Sequence, residues 1–119
     1  MAKILIVDDS KYMRSLLEDI LLDEGHGIYQ ASDGEKMISL YKDVHPDIVL
    51  MDVVMPVLDG LSALEEVKKI DPDAKIIVCS AQSHEDLIQD AYEKGACDFI
   101  IKPFSVETIL NAVHKVLSK

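Results

Sequence analysis

The chain has 119 residues, 49% of them hydrophobic and 29% charged, with a formal net charge of −10. That is enough chain for one core and too little for two, in a composition that folds rather than remaining disordered. The negative balance opposes nucleic acid and anionic membrane surfaces, which require a basic face, and leaves proteins or cations as the expected partners.

Strand and helix periodicities alternate along the chain. KILIV (3–7) is a continuous apolar run that reads as a strand. SKYMRSLLEDILLDEG (10–25) then sets Met13, Leu16, Leu17, Ile20 and Leu21 on one helical face before Gly25 stops it. GIYQA (27–31) is a weaker strand, and the helix over 33–44 carries Met37, Leu40, Tyr41 and Val44 behind Asp33 as N-cap. The third pair is DIVLM (47–51) and LSALEEVKKI (61–70); the fourth is KIIVC (75–79) and the helix 83–95, with Ser83 as the expected N-cap. DFII (98–101) is the last strand, and the helix 105–117 presents Val106, Ile109, Leu110, Val113, Val116 and Leu117 as its core stripe. Five βα units joined through helices require parallel pairing and right-handed crossovers, hence a doubly wound α/β domain. The most continuous apolar strands, 3–7, 47–51 and 75–79, are expected at the centre, with 27–31 and 98–101 at the edges.

Cys79 and Cys97 lack CxxC spacing and are read as reduced thiols. No signal-type core opens the chain and no run of apolar residues is long enough to span a membrane, so the cytoplasm is the expected location.

The stretch DIVLMDVVMPVLDG (47–60) places a carboxylate, Asp52, at the end of a strand that reads as buried on both faces. Other polar residues fall in equivalent places: Asp8 and Asp9 after the first strand, Ser80 after the fourth, Lys102 after the fifth. In an open parallel sheet these ends share one edge, where ligands bind at the topological switch point. Three carboxylates converging there repel until protons or a cation enter, and an all-oxygen donor set suits a hard divalent ion, Mg²⁺ before softer metals. A lysine and a serine hydroxyl beside them suit phosphoryl oxygens, so the set as a whole points to phosphoryl transfer. Singly, each signal has a plainer reading: the Asp8-Asp9 pair as a helix cap, Asp52 as a turn residue, Lys102 as a loop charge, Ser80 as a helix lead-in. His26, His45, His84 and His114 are scattered and read as surface residues, and Met13, Met37, Met51, Met55 and Cys79 as packing.

ILIVDDS, DIVLMDVVMPVLDG, KIIVCSA and DFIIKPF, in this order and spacing, resemble the receiver domain of two-component response regulators, the single-domain chemotaxis regulators most of all. The resemblance spans the chain and implies a flavodoxin-like five-stranded sheet in the order 2-1-3-4-5, with residues 1–119 forming one receiver and no output domain. It implies that Asp52 is the phosphoacceptor, charged from the phosphohistidine of a sensor histidine kinase. It also implies that Asp9, Asp52 and the backbone carbonyl of Val54 hold Mg²⁺, with Asp8 acting through water. Lys102 and Ser80 would contact the phosphoryl oxygens, and Lys102-Pro103 would be a cis peptide. Ser80 and the switch aromatic, here Phe99 rather than tyrosine, would move on phosphorylation, altering the surface of helix 83–93, strand 98–101 and helix 105–117. Val54 and Gln82 stand where family side chains border the path of the attacking water. The expected output is a change of affinity for a protein partner, such as a flagellar motor switch, by a monomer that catalyses only its own phosphorylation and dephosphorylation. The alternatives are a phosphorelay carrier serving a histidine phosphotransfer protein, a receiver cut from a larger DNA-binding regulator, and, remotely, a flavodoxin. The last would need a Ser/Thr/Gly-rich loop where this chain has two aspartates.

Overall fold

The computed structural model describes residues 2–53 and 59–118. Strand and helix alternate in chain order: β1 (Lys3–Val7), α1 (Lys11–Leu22), β2 (Gly27–Ala31), α2 (Gly34–Val44), β3 (Ile48–Met51), α3 (Gly60–Ile70), β4 (Ile76–Ser80), α4 (Glu85–Glu93), β5 (Asp98–Ile101) and α5 (Val106–Leu117). The strands form one parallel sheet in the order β2-β1-β3-β4-β5. The fold class and the placing of the three most apolar strands at the centre are as the strand and helix pattern predicted, and the strand order is the one the resemblance implied.

Successive strand residues face opposite sides, and each side has its own core. Leu5, Val7, Val49, Met51 and Val78 pack against Met37 and Tyr41 of α2, Leu64 and Val67 of α3 and Ala91 of α4. Ile4, Ile6, Ile48, Leu50 and Ile77 pack against Leu17 and Leu21 of α1 and Ile109, Val113 and Val116 of α5. Both faces of β1, β3 and β4 are therefore dry, which is why these strands read as unbroken apolar runs.

Side-chain caps set most helix starts: Ser10 Oγ accepts from Met13 N–H at 3.2 Å, Asp33 Oδ1 from Lys36 N–H at 2.9 Å, Asp59 Oδ1 from Ser62 N–H at 3.0 Å and Ser105 Oγ from Thr108 N–H at 3.1 Å. Three readings are corrected. α1 ends at Leu22, one turn before Gly25, whose N–H closes on Leu22 O at 2.9 Å with φ 83. The cap of α4 is His84, whose Nδ1 accepts from Leu87 N–H at 3.2 Å, and not Ser83. Gln82 N–H donates to Ser80 Oγ at 3.1 Å, and this turn keeps the residues that follow β4 out of the helix. Val106 is 53% exposed although it falls on the stripe of α5. Side chains lean toward the N-terminus of a helix, so at its first position Val106 reaches past the sheet, while Ala112, which the stripe left out, is buried. Among the described residues no helix is long and apolar enough to cross a membrane.

Candidate functional site

Register brings the site together. Val7 of β1 lies opposite Met51 of β3, so the next residues, Asp8 and Asp52, leave the sheet side by side. The pairing of β1 with β3 is also the point where strand order reverses, with α1 and α3 on opposite faces, so the chain parts there into a crevice. On the other side Ser80 lies opposite Ile101, and Lys102 N–H donates to Ser80 O at 2.8 Å, which turns the lysine toward the same crevice.

Asp8, Asp9 and Asp52 each place a carboxylate oxygen within 4.8 Å of the others. Lys102 Nζ reaches between them, 2.9 Å from Asp8 Oδ2 and 3.3 Å from Asp52 Oδ2. Burial of the ammonium works against its charge, but the hydrogen bond to Asp8 and the fields of Asp52 and Asp8 outweigh that and raise the Lys102 pKa above its ordinary value. The lysine is therefore a fixed positive charge. Asp8, only 3% exposed, also accepts from Ser10 N–H at 2.9 Å. One ammonium against three carboxylates leaves a surplus of negative charge in a crevice lined by oxygen donors, and that donor set fits a hard divalent cation.

Ser80 is fully buried as the last residue of β4. Phe99 is half-buried and packs against the core on the side of α2, α3 and α4. Lys102-Pro103 is cis, as the resemblance implied. Val54, the expected carbonyl ligand, lies outside the described residues. Two features escaped the sequence reading. Gly60, the last residue of the quoted stretch, is where α3 starts against the backbone behind Asp52. Its N–H donates to Val53 O at 2.9 Å, and a Cβ there would sit 2.4 Å from Val53 Cα and 2.5 Å from Asp52 O. Arg14, on what reads as the polar side of α1, donates from Nη1 to Asp8 O at 2.7 Å.

A doubly wound sheet with an acidic crevice and a fixed lysine at its switch point defines an α/β domain whose crevice offers oxygen donors beside one fixed positive charge. Its family follows from comparison with known proteins. Residues 4–114 match the response regulator receiver domain, and the chain belongs to that family. It is 44% identical over 117 residues to the chemotaxis protein CheY of Bacillus subtilis, covering 98% of each chain. It is 44% identical over 115 residues to CheY of Thermotoga maritima, covering 96% of each. It overlays with a TM-score of 0.95 and 38% identity on a chain of the crystal structure of the CheX-CheY-BeF3-Mg²⁺ complex from Borrelia burgdorferi, covering 98% of this chain and 90% of that one. The resemblance carried by the four motifs is thus borne out. Members of this family are signalling switches controlled by phosphorylation, and Mg²⁺ and an aspartyl phosphate are general to them.

Proposed function

We propose that this chain acts as a receiver in which Asp52 accepts a phosphoryl group from the phosphohistidine of a sensor kinase. The observation that carries the proposal is the convergence of Asp8, Asp9 and Asp52 within 4.8 Å around the Lys102 ammonium. An Asp52 oxygen attacks phosphorus as the P–N bond to histidine breaks, and the imidazole leaves as a neutral base after taking up a proton. Asp9 and Asp52 would hold Mg²⁺, with Asp8 acting through water; the expected carbonyl ligand, that of Val54, lies outside the described residues. When bound, the ion neutralises the carboxylates and the oxygens of the incoming phosphoryl group. Lys102, already charged and aimed into the crevice, and the Ser80 hydroxyl then take phosphoryl oxygens.

Phosphorylation biases a two-state element. Ser80 draws toward the new group, and Phe99 turns into the space that this leaves. The surface of α4, β5 and α5 changes with them. That surface carries Tyr92, Ile101 and Val106 at 45%, 50% and 53% exposure, apolar area that suits a protein partner. The similarity to chemotaxis proteins over nearly their full length supports chemotaxis or motility control as the output, with a flagellar motor switch as the partner class.

Acetyl phosphate with Mg²⁺ tests the acceptor. The wild-type chain should gain one acid-stable, hydroxylamine-labile phosphoryl group by mass spectrometry, and Asp52→Asn none, because an amide is not a nucleophile. Full labelling of Asp52→Asn would overturn the assignment.

A further inference from the structure

The three carboxylates of the crevice are held unequally. Asp8 accepts from Ser10 N–H and from Lys102, and Asp52 from Lys102. Asp9 is exposed, and among the described residues no group donates a hydrogen bond to its carboxylate. Its position therefore depends on its backbone. The peptide unit that carries the Asp8 carbonyl also carries the Asp9 N–H, and the unit is planar, so whatever fixes that carbonyl fixes the Asp9 N–H and Cα from which the side chain springs. The carbonyl is gripped by Arg14 Nη1 at 2.7 Å. Arg14 is itself fixed twice over. Its backbone N–H donates to Ser10 O at 3.0 Å, and its Nε donates to Gln30 Oε1 at 3.0 Å, while Gln30 Nε2 donates to Glu18 Oε2. The planar fork of the guanidinium thus ties the turn after β1 to the edge strand β2, with two bonds in a geometry that a lysine cannot reproduce.

We propose that Arg14 is a positioning residue for the cation site: by gripping the Asp8 carbonyl it orients the Asp8-Asp9 peptide and holds the Asp9 carboxylate ready for a divalent ion. This rests on the reading of Asp9 as a ligand. Arg14 contacts the backbone of the site and not the ion, and its charge alone would act in the opposite direction, since a cation beside a cation site weakens binding. Loss of Arg14 through charge would tighten Mg²⁺ binding; loss through positioning must weaken it.

Calorimetric titration of the full chain with Mg²⁺, with melts in EDTA run in parallel, separates these. Loss of outer supports to a metal site weakens affinity by a factor of about ten or more, so Arg14→Ala should weaken Mg²⁺ binding about tenfold. Arg14→Lys, which keeps the opposing charge and loses the fork, should weaken binding at least as much as Arg14→Ala, and Gln30→Ala should shift affinity the same way by less. Labelling of Arg14→Ala by acetyl phosphate should recover at saturating Mg²⁺, so the defect lies in the Mg²⁺ requirement and not in the maximal extent. Unchanged or tighter Mg²⁺ binding by Arg14→Ala overturns the inference, as does a loss confined to the EDTA melt. Should Arg14→Ala not fold, Arg14→Lys and Gln30→Ala decide by the same criterion. Asp9→Asn is the reference: if it binds Mg²⁺ as wild type does, the reading of the acidic site has failed; if it loses Mg²⁺ while Arg14→Ala keeps it, only the role of Arg14 has.

Discussion

The two edges of the sheet use the same residue type in opposite ways. At the N-terminal edge, Asp47 Oδ2 accepts from Lys3 N–H at 2.8 Å, and Asp71 accepts from Tyr41 OH at 2.8 Å and from Asp73 N–H at 3.0 Å. These two carboxylates each meet a donor, and the pairs join the strand starts and helix ends of the fold. At the C-terminal edge, three carboxylates crowd around one ammonium. Cavity size does not separate the two, because a cavity of about 590 Å³ lies at the N-terminal edge, lined by Tyr41, His45, Asp47, Asp71 and Lys75 among others. What marks the functional edge is charge left without compensation, together with backbone packed closely enough to hold it.

The largest expected effect concerns that close packing. A Cβ on Gly60 would meet Val53 Cα at 2.4 Å, whereas a Cβ on Gly27, at the other edge, would meet nothing nearer than Ala2 O at 3.9 Å. Gly60→Ala should cost about 3 kcal/mol, since backbone atoms cannot step aside as a flexible side chain can. Gly27→Ala should be neutral or slightly stabilising. Urea midpoints compare the two, and similar values would mean that the start of α3 is not tightly set behind Asp52.

A smaller effect comes from the compensated edge. The hydrogen bond from Tyr41 holds Asp71 below its ordinary pKa, while burial, with help from Asp71, raises that of Tyr41. Tyr41→Phe should cost about 1 kcal/mol at neutral pH. Because the Asp71 pKa is lower folded than unfolded, its contribution is complete above the unfolded value near about 3.9 and is lost as pH falls through the folded one. The difference between Tyr41→Phe and wild type should therefore shrink as denaturation is followed from neutral pH to about pH 3. A constant difference would mean that the Asp71 charge plays no part.

How much of this was legible in the sequence varied with the range of the interaction involved. Asp8, Asp9, Asp52, Ser80 and Lys102 could be placed together because each ends a recognisable strand and parallel topology brings strand ends to one edge. The Ser10, Asp33 and Ser105 caps were local signals of the same sort, although Ser10 and Ser105 were read only as the first residues of their helices. His84 displaced Ser83 because a turn anchored on Ser80 delays α4, which local propensity does not register. The exposure of Val106 depends on where α5 begins relative to the sheet. Arg14 gave no signal: on α1 it is one more polar residue, and its contacts with Asp8 O and Gln30 exist only once β2 lies beside β1.

The central claim, that the C-terminal edge stores charge repulsion in order to hold a cation, is tested most directly by melting wild type, Asp9→Asn and Asp71→Asn in EDTA and in rising Mg²⁺. Two unit charges within the 4.8 Å that encloses these oxygens repel by about 3 kcal/mol at an effective dielectric near 20, and solvent at the exposed Asp9 reduces this to about 1–2 kcal/mol. In EDTA, Asp9→Asn should melt above wild type and Asp71→Asn below it. Mg²⁺ should stabilise wild type and Asp71→Asn alike, by about 2.7 kcal/mol at a hundred times the dissociation constant, and leave Asp9→Asn unmoved. An Asp9→Asn chain that melts below wild type in EDTA, or gains as much from Mg²⁺, would contradict the account.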